Sequence, residues 1–181
     1  MRGAILWPLM KRHVALTLLI VTALGVLNAH VDLPRVDGRR FVATQGQLYD
    51  PLGWLEDRAN AWGRRCDKVA SVPLSSQEAQ EVLTHIGAFS PPDSHTARAL
   101  SLLRAGPWWL AEVSFESLSP AVVVLQGEGP AMKIIERAIW SGSTSPWRPA
   151  PRIRDHLLAG APGIPTDLVA CLEPQSELFR P

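Results

Sequence analysis

The side chains with the greatest chemical reach lie together in residues 140–156, WSGSTSPWRPAPRIRDH. Trp140 and Trp147 offer aromatic faces that stack on sugar rings or cations, and Arg148, Arg152 and Arg154 offer planar forks suited to carboxylates and phosphates. Pro146, Pro149 and Pro151 stiffen the stretch, and a stiff loop loses less entropy on binding. The pattern fits a recognition loop for a glycan, an anionic headgroup or a partner protein. The same residues also suit a structural role, with both indoles capping the core and the arginines pairing with Glu136 and Asp155; this is the simpler reading. Ser141, Ser143, Thr144 and Ser145 precede His156, but a hydroxyl with no orienting partner is a weak nucleophile. Serine-rich turns mostly satisfy their own backbone.

Gly106-Pro107-Trp108-Trp109 is the second group of interest. Adjacent residues of a strand point to opposite faces, so one indole meets solvent, a membrane surface or a partner unless both faces are covered. Burial of both is the commoner outcome. His85, His95 and His156 sit on or beside expected helices without a neighbouring Cys nucleophile or a repeated ligand spacing, and they read as surface or capping residues. The chain has no glycine-rich phosphate loop, no HExxH, no GxSxG and no paired metal-ligand cluster. An enzyme is therefore disfavoured, and no metal or cofactor is expected.

Cys66 and Cys171 are the two cysteines. In an exported domain such an even pair is a candidate disulfide that ties the end of an early helix to the C-terminal segment. Closing a loop of about 100 residues is worth up to about 4.7 kcal/mol in the chain-entropy account. The alternative is two buried free thiols.

Export is suggested by the leader. Arg2, Lys11, Arg12 and His13 precede the sixteen uncharged residues Val14–Ala29, and His30, Asp32 and Pro34 end the run. A basic segment followed by an apolar one is the signature of a signal peptide or signal anchor. A spanning helix wants about 17 to 25 apolar residues and a signal h-region about 7 to 15, so the run falls between the two classes. Ala23-Leu24-Gly25 satisfies a small-x-small cleavage rule and Leu27-Asn28-Ala29 does so poorly, so cleaved and retained forms both stay open, with retention preferred. Arg35, Arg39 and Arg40 compete with Arg2, Lys11 and Arg12 as cytoplasmic charges, yet the first helix usually dominates, which places the N-terminus inside. The run thus predicts an N-terminal transmembrane or signal helix over residues 1–30, inner-membrane attachment through residues 14–29, and a periplasmic domain.

About 150 residues follow the run, enough for one domain with its own core. Without Arg2, Lys11 and Arg12 the basic count falls from 18 to 15 against 17 acids, a net charge of −2 with His neutral. No polyanion-binding surface follows from such a balance, and nucleic acid is not an expected partner. Arg outnumbers Lys fifteen to three, which reads first as GC-rich coding bias in a bacterium.

The elements that must position these side chains follow from local signals. Residues 31–49 read as a connector. Asp50-Pro51 then supplies an N-cap and a proline at the first helical position, and Leu52, Leu55, Ala59, Trp62 and Cys66 recur at helical steps on one apolar face. Ser75 with Glu78 forms a capping box before a helix near 76–86 that Gly87 is placed to stop. A third helix is expected over 94–105, from Ala97, Leu100, Leu103 and Arg104 ahead of Gly106-Pro107. WWLAEVSFES, AVVVLQ and KIIERAIW then read as a three-stranded antiparallel meander. In its first strand Trp109, Ala111, Val113 and Phe115 share one face, and Trp108, Leu110, Glu112 and Ser114 share the other. Short helices near 151–159 and 167–173, the second capped by Thr166, complete an α+β domain over residues 50–181.

These features predict a single-pass envelope protein whose periplasmic domain serves as a protein-interaction or accessory subunit of a membrane complex, with other envelope proteins as partners. A periplasmic glycan- or cell-wall-binding module, using Trp140, Trp147 and the nearby arginines, is the alternative. A hydrolase of unfamiliar type ranks below both.

Overall fold

The computed structural model describes residues 13–22, 25 and 31–179. The chain divides into two compact units, Met1–Pro51 and Leu52–Pro181. In the first, residues 13–22 and 25 are helical. Residues 23, 24 and 26–29 of the apolar run lie outside the described residues, and among the described residues no helix is long and apolar enough to cross a membrane.

The stretch 31–49, read from sequence as a connector, carries strand structure. It folds into two antiparallel hairpins, β1 (Arg35–Val36) with β2 (Arg39–Arg40), and β3 (Val42–Thr44) with β4 (Gln47–Tyr49). Each turns through two residues at positive φ, Asp37-Gly38 at 47° and 79° and Gln45-Gly46 at 52° and 79°. Two-residue turns of this hand match the right-handed twist of the strands they join, and Asp-Gly is the strongest short signal for one.

The second unit is built on an antiparallel sheet of six strands: β5 (Ala70–Ser71), β6 (Arg98–Ala105), β7 (Trp108–Ser114), β8 (Ala121–Gln126), β9 (Lys133–Ile134) and β10 (Trp140–Ser141). Their order across the sheet is β10-β8-β7-β6-β5, with β9 also pairing β8. β7 and β8 alternate cleanly between two cores. Trp109, Ala111 and Val113 join Val123 and Leu125 on one face, where Ala79, Val82 and Ile86 of α2 (Gln77–Phe89) cover them. Trp108, Leu110, Val122 and Val124 face the other way, onto Ile153 and Leu157 of α3 (Pro149–Gly160) and Leu168 and Val169 of α4 (Thr166–Ala170). Covered on both faces, the sheet buries Trp108 and Trp109 alike.

The meander therefore has more strands than three, and two of the additions have clear physical causes. Residues 98–105 form β6 instead of the C-terminal part of a helix, pairing with β7 from Arg98↔Ser114 to Ala105↔Trp108. A register shift between Ala99 and Ser101 breaks the two-residue alternation that would have marked the strand. Of the helix expected over 94–105 only residues 94–96 are helical, within one 3-10 turn, Asp93–Thr96. KIIERAIW is likewise split: β9 pairs with Leu125 and Gln126, a 3-10 turn at Glu136–Ala138 follows, and β10 pairs with Ala121 and Val122 along the same strand.

Helix boundaries follow the caps. Ser76, not Ser75, caps α2 by accepting the Ala79 N–H at 3.1 Å. Gly87 does not stop the helix. It lies inside α2 with its carbonyl accepting from the Ser94 hydroxyl at 2.7 Å, and the helix runs on to Phe89 before Pro91-Pro92. α3 begins two residues before the expected start, carrying Pro149 and Pro151 in a first turn that needs no N–H donors.

The largest departure concerns α1 (Pro51–Gly63). The helix is present, but the expected apolar face is not buried: Gly53 is its one buried residue. Leu52, Trp54, Leu55 and Trp62 are exposed by 46, 47, 55 and 85%. Polar and covalent links hold it instead. Asn60 donates to the Ala170 carbonyl at 2.8 Å, Arg64 pairs with Glu173, and the sulfurs of Cys66 and Cys171 stand at bonding distance with their Cα atoms 5.9 Å apart. That separation lies within the range of natural disulfides.

Candidate functional site

Asp57, on α1, organises the polar centre of the second unit. Its Oδ1 accepts from Arg154 Nη1 at 3.0 Å and its Oδ2 from Arg148 Nε at 3.2 Å. One carboxylate thus joins two guanidiniums that lie 91 and 97 residues downstream. Arg154 is buried on α3, and its Nη2 donates to the Leu172 carbonyl at 2.9 Å. Its Nε, also buried, meets no acceptor among the described residues. Burial lowers the pKa of this guanidinium from its ordinary value, against the hydrogen bond and attraction of Asp57; a guanidinium nevertheless stays protonated at neutral pH.

Around this knot opens a cleft of about 340 Å³, within the range of small-molecule sites. Arg58 enters it from α1 and Arg64 from the residue just after that helix, Arg148 and Arg154 from the start and middle of α3, and Glu173 from the segment after α4. Trp54, Pro149, Pro174 and Phe179 supply an apolar wall. The Arg58 guanidinium lies 5.5 Å over the Trp54 ring, and among the described residues no carboxylate pairs with it. The Arg64–Glu173 pair also lines a second cleft, of about 440 Å³, bounded by Cys66 and Cys171.

The residues singled out from sequence part company here. Arg148 and Arg154 enter the cleft, whereas Arg152 lies 4.5 Å over the Trp147 ring and covers one of its faces. Trp140 is half-buried, donates to the Gly142 carbonyl at 3.2 Å, and stands edge-on to His156 at 5.3 Å. His156 Nε2 lies 2.9 Å from the Ile139 carbonyl, which fixes the proton on that nitrogen. The Ser143 hydroxyl is exposed and accepts from the Ser145 N–H at 3.1 Å, as serine-rich turns commonly do. Trp108 is a core residue, 8% exposed. Among the described residues no three His, Cys, Asp or Glu side chains gather at metal-binding distances.

Sequence reasoning passed over Asp57, Arg58, Arg64 and Glu173, which look like ordinary surface charges in an α-helix and a tail. It also passed over Glu112, a fully buried carboxylate on β7. Glu112 accepts from the Gln175 N–H at 2.9 and 2.8 Å and from the Ser176 N–H at 2.6 Å, so it pins the segment after α4 to the sheet. An acid amid the apolar run WWLAEVSF was the available signal, since charge at a core-facing position implies a buried partner.

Comparison with known proteins adds no relative: no protein-family model matches the chain, and no curated protein or solved structure matches it.

Proposed function

We propose that this chain is an exported, membrane-associated envelope protein whose second unit is a protein-interaction module, docking a partner protein through the outer face of α1. The exposed apolar side chains of that helix carry the reading. Trp54, Leu55 and Trp62 lie on an element held at one side by Asp57, Asn60 and Arg64, so the apolar side is presented to the surroundings. Trp and Arg are the residue types most enriched among interface hot spots, and Arg58 and Arg65 flank the aromatic residues here. The expected partner carries an apolar groove with an acidic rim. Support for export comes from the basic-then-apolar leader and from the Cys66–Cys171 pair, since disulfides persist in oxidising compartments.

The test is native purification of the full chain from detergent-solubilised membranes. One stoichiometric envelope protein is expected to accompany it, to protect α1 amides from hydrogen exchange, and to be lost on Trp62→Ala while thermal unfolding is unchanged. Purification of the wild-type chain without a companion, or a companion indifferent to both Trp62→Ala and Trp54→Ala, would sink the idea.

A further inference from the structure

A second property is carried by the cleft, which shares Trp54 and Arg58 with the exposed face of α1 but is lined by neither Leu55 nor Trp62. Four guanidiniums, of Arg58, Arg64, Arg148 and Arg154, face two carboxylates, of Asp57 and Glu173, leaving an excess of two positive charges. The excess is gathered at one cleft, with Arg154 buried at its base and Arg58 exposed at its edge. It sits in a cavity closed on one side by Trp54, Pro149 and Phe179, where charges are less screened by water than at an exposed surface.

Two features point to donors at the cleft that are still open to an acceptor. Arg154 Nε is buried without an acceptor among the described residues, and the exposed Arg58 guanidinium meets no carboxylate among them. Buried polar groups are nearly always satisfied, so an orphaned donor on a side chain that lines the cleft marks a polar need that the protein alone leaves unmet. Arg58 adds a guanidinium stacked on an indole, the arrangement that holds its plane in place while leaving its edge free to donate.

We infer that this cleft binds a phosphate monoester, with its oxyanion among Arg58, Arg64 and Arg154 and its organic part against Trp54 and the adjacent prolines. The charge selects the ligand. A phosphate monoester carries about −1.5 to −2 at neutral pH, close to the excess of two, whereas a single carboxylate carries −1 and leaves half of it unbalanced. Arginine forks also match phosphate oxygens in pairs, which fixes orientation as well as charge. The volume exceeds the needs of a phosphate group alone, and its apolar wall gives the remainder of the ligand a surface to cover.

The experiment uses the full chain in detergent, with the arginine Nε–H resonances followed by NMR at fixed ionic strength. Inorganic phosphate, phenyl phosphate and acetate are titrated separately, and binding to phosphatidylcholine vesicles is compared with and without phosphatidic acid. Expected is a saturable shift of the buried Arg154 Nε–H with phosphate, with phenyl phosphate tighter because its ring reaches Trp54. Arg58→Gln and Arg64→Gln each weaken it about tenfold. Arg58→Gln replaces an exposed charge and leaves the melting temperature near that of the wild type, whereas Arg64→Gln also releases Glu173 and lowers it slightly; Arg154→Lys serves as a further variant that keeps the charge and loses the fork. Saturation by the soluble phosphates supports a soluble ligand. Saturation by phosphatidic acid vesicles alone supports the same chemistry in a lipid headgroup. Equal responses to acetate and phosphate, no saturation with any phosphate source, or affinity unchanged in Arg58→Gln and Arg64→Gln would each overturn the assignment. None of these readouts depends on the partner expected at Trp62.

Discussion

Helices α1 and α2 are each thirteen residues long, and both present apolar residues at helical spacing, yet they are fastened to the same unit by opposite means. α2 buries Ala79, Val82 and Ile86 against the sheet, and only its rim is polar, where Arg104 reaches Glu78 at 2.8 Å while covering the Trp109 ring at 4.5 Å. α1 buries one glycine and is held by a carboxylate, an amide, an ion pair and the Cys66–Cys171 link. An apolar stripe thus signals a need for cover and does not say what provides it. In α2 the sheet provides it; in α1 the stripe is exposed.

Four substitutions break or sharpen the contrast. Ile86→Ala removes a side chain that fills the core under α2, and it should cost about 2–5 kcal/mol, read as a lower midpoint in urea unfolding. Replacing both Cys66 and Cys171 by Ala should cost about 2–4 kcal/mol and, unlike Ile86→Ala, should raise hydrogen exchange first in α1. An equal rise in α2 would mean that the two helices are not fastened separately. Asp57→Asn leaves the buried Arg154 without its charge partner. Breaking a fully buried pair costs about 3–5 kcal/mol, and because Asp57 is partly exposed the expected loss is about 2 kcal/mol. Trp62→Ala should change stability by less than about 0.5 kcal/mol, because its indole is 85% exposed. A larger loss there would show that α1 is packed after all, and the contrast with α2 would fail.

Local signals in the sequence revealed each helix of eight residues or more in the second unit, along with the two faces of β7, because caps, prolines and two-residue alternation are short-range features. They misled where long-range pairing prevailed. ARALSLLRA combines good helix formers at helical spacing, but seven registered pairs with β7 hold it extended. The hairpins in residues 31–49 were legible in Asp37-Gly38 and passed over because their strands are only two or three residues long. Of the site, Arg148 and Arg154 stood out by type. Their partner could not, since nothing within a local window joins Asp57 to residues 91 and 97 positions away. The Cys66–Cys171 pairing was accessible only because two cysteines admit a single intramolecular partnership.

The hydrogen bonds of Glu112 also set a timetable. A chain made from its N-terminus presents this carboxylate 63 residues before Gln175 and 64 before Ser176, the two residues whose amides neutralise its solvation cost. At translation rates of about 5–20 residues per second that is a wait of about 3–13 s, during which β7 cannot bury an unpartnered carboxyl group without penalty. Cys66 waits longer still, 105 residues, for Cys171. The central strand carries its own delay, keeping the unit open until its last segment arrives.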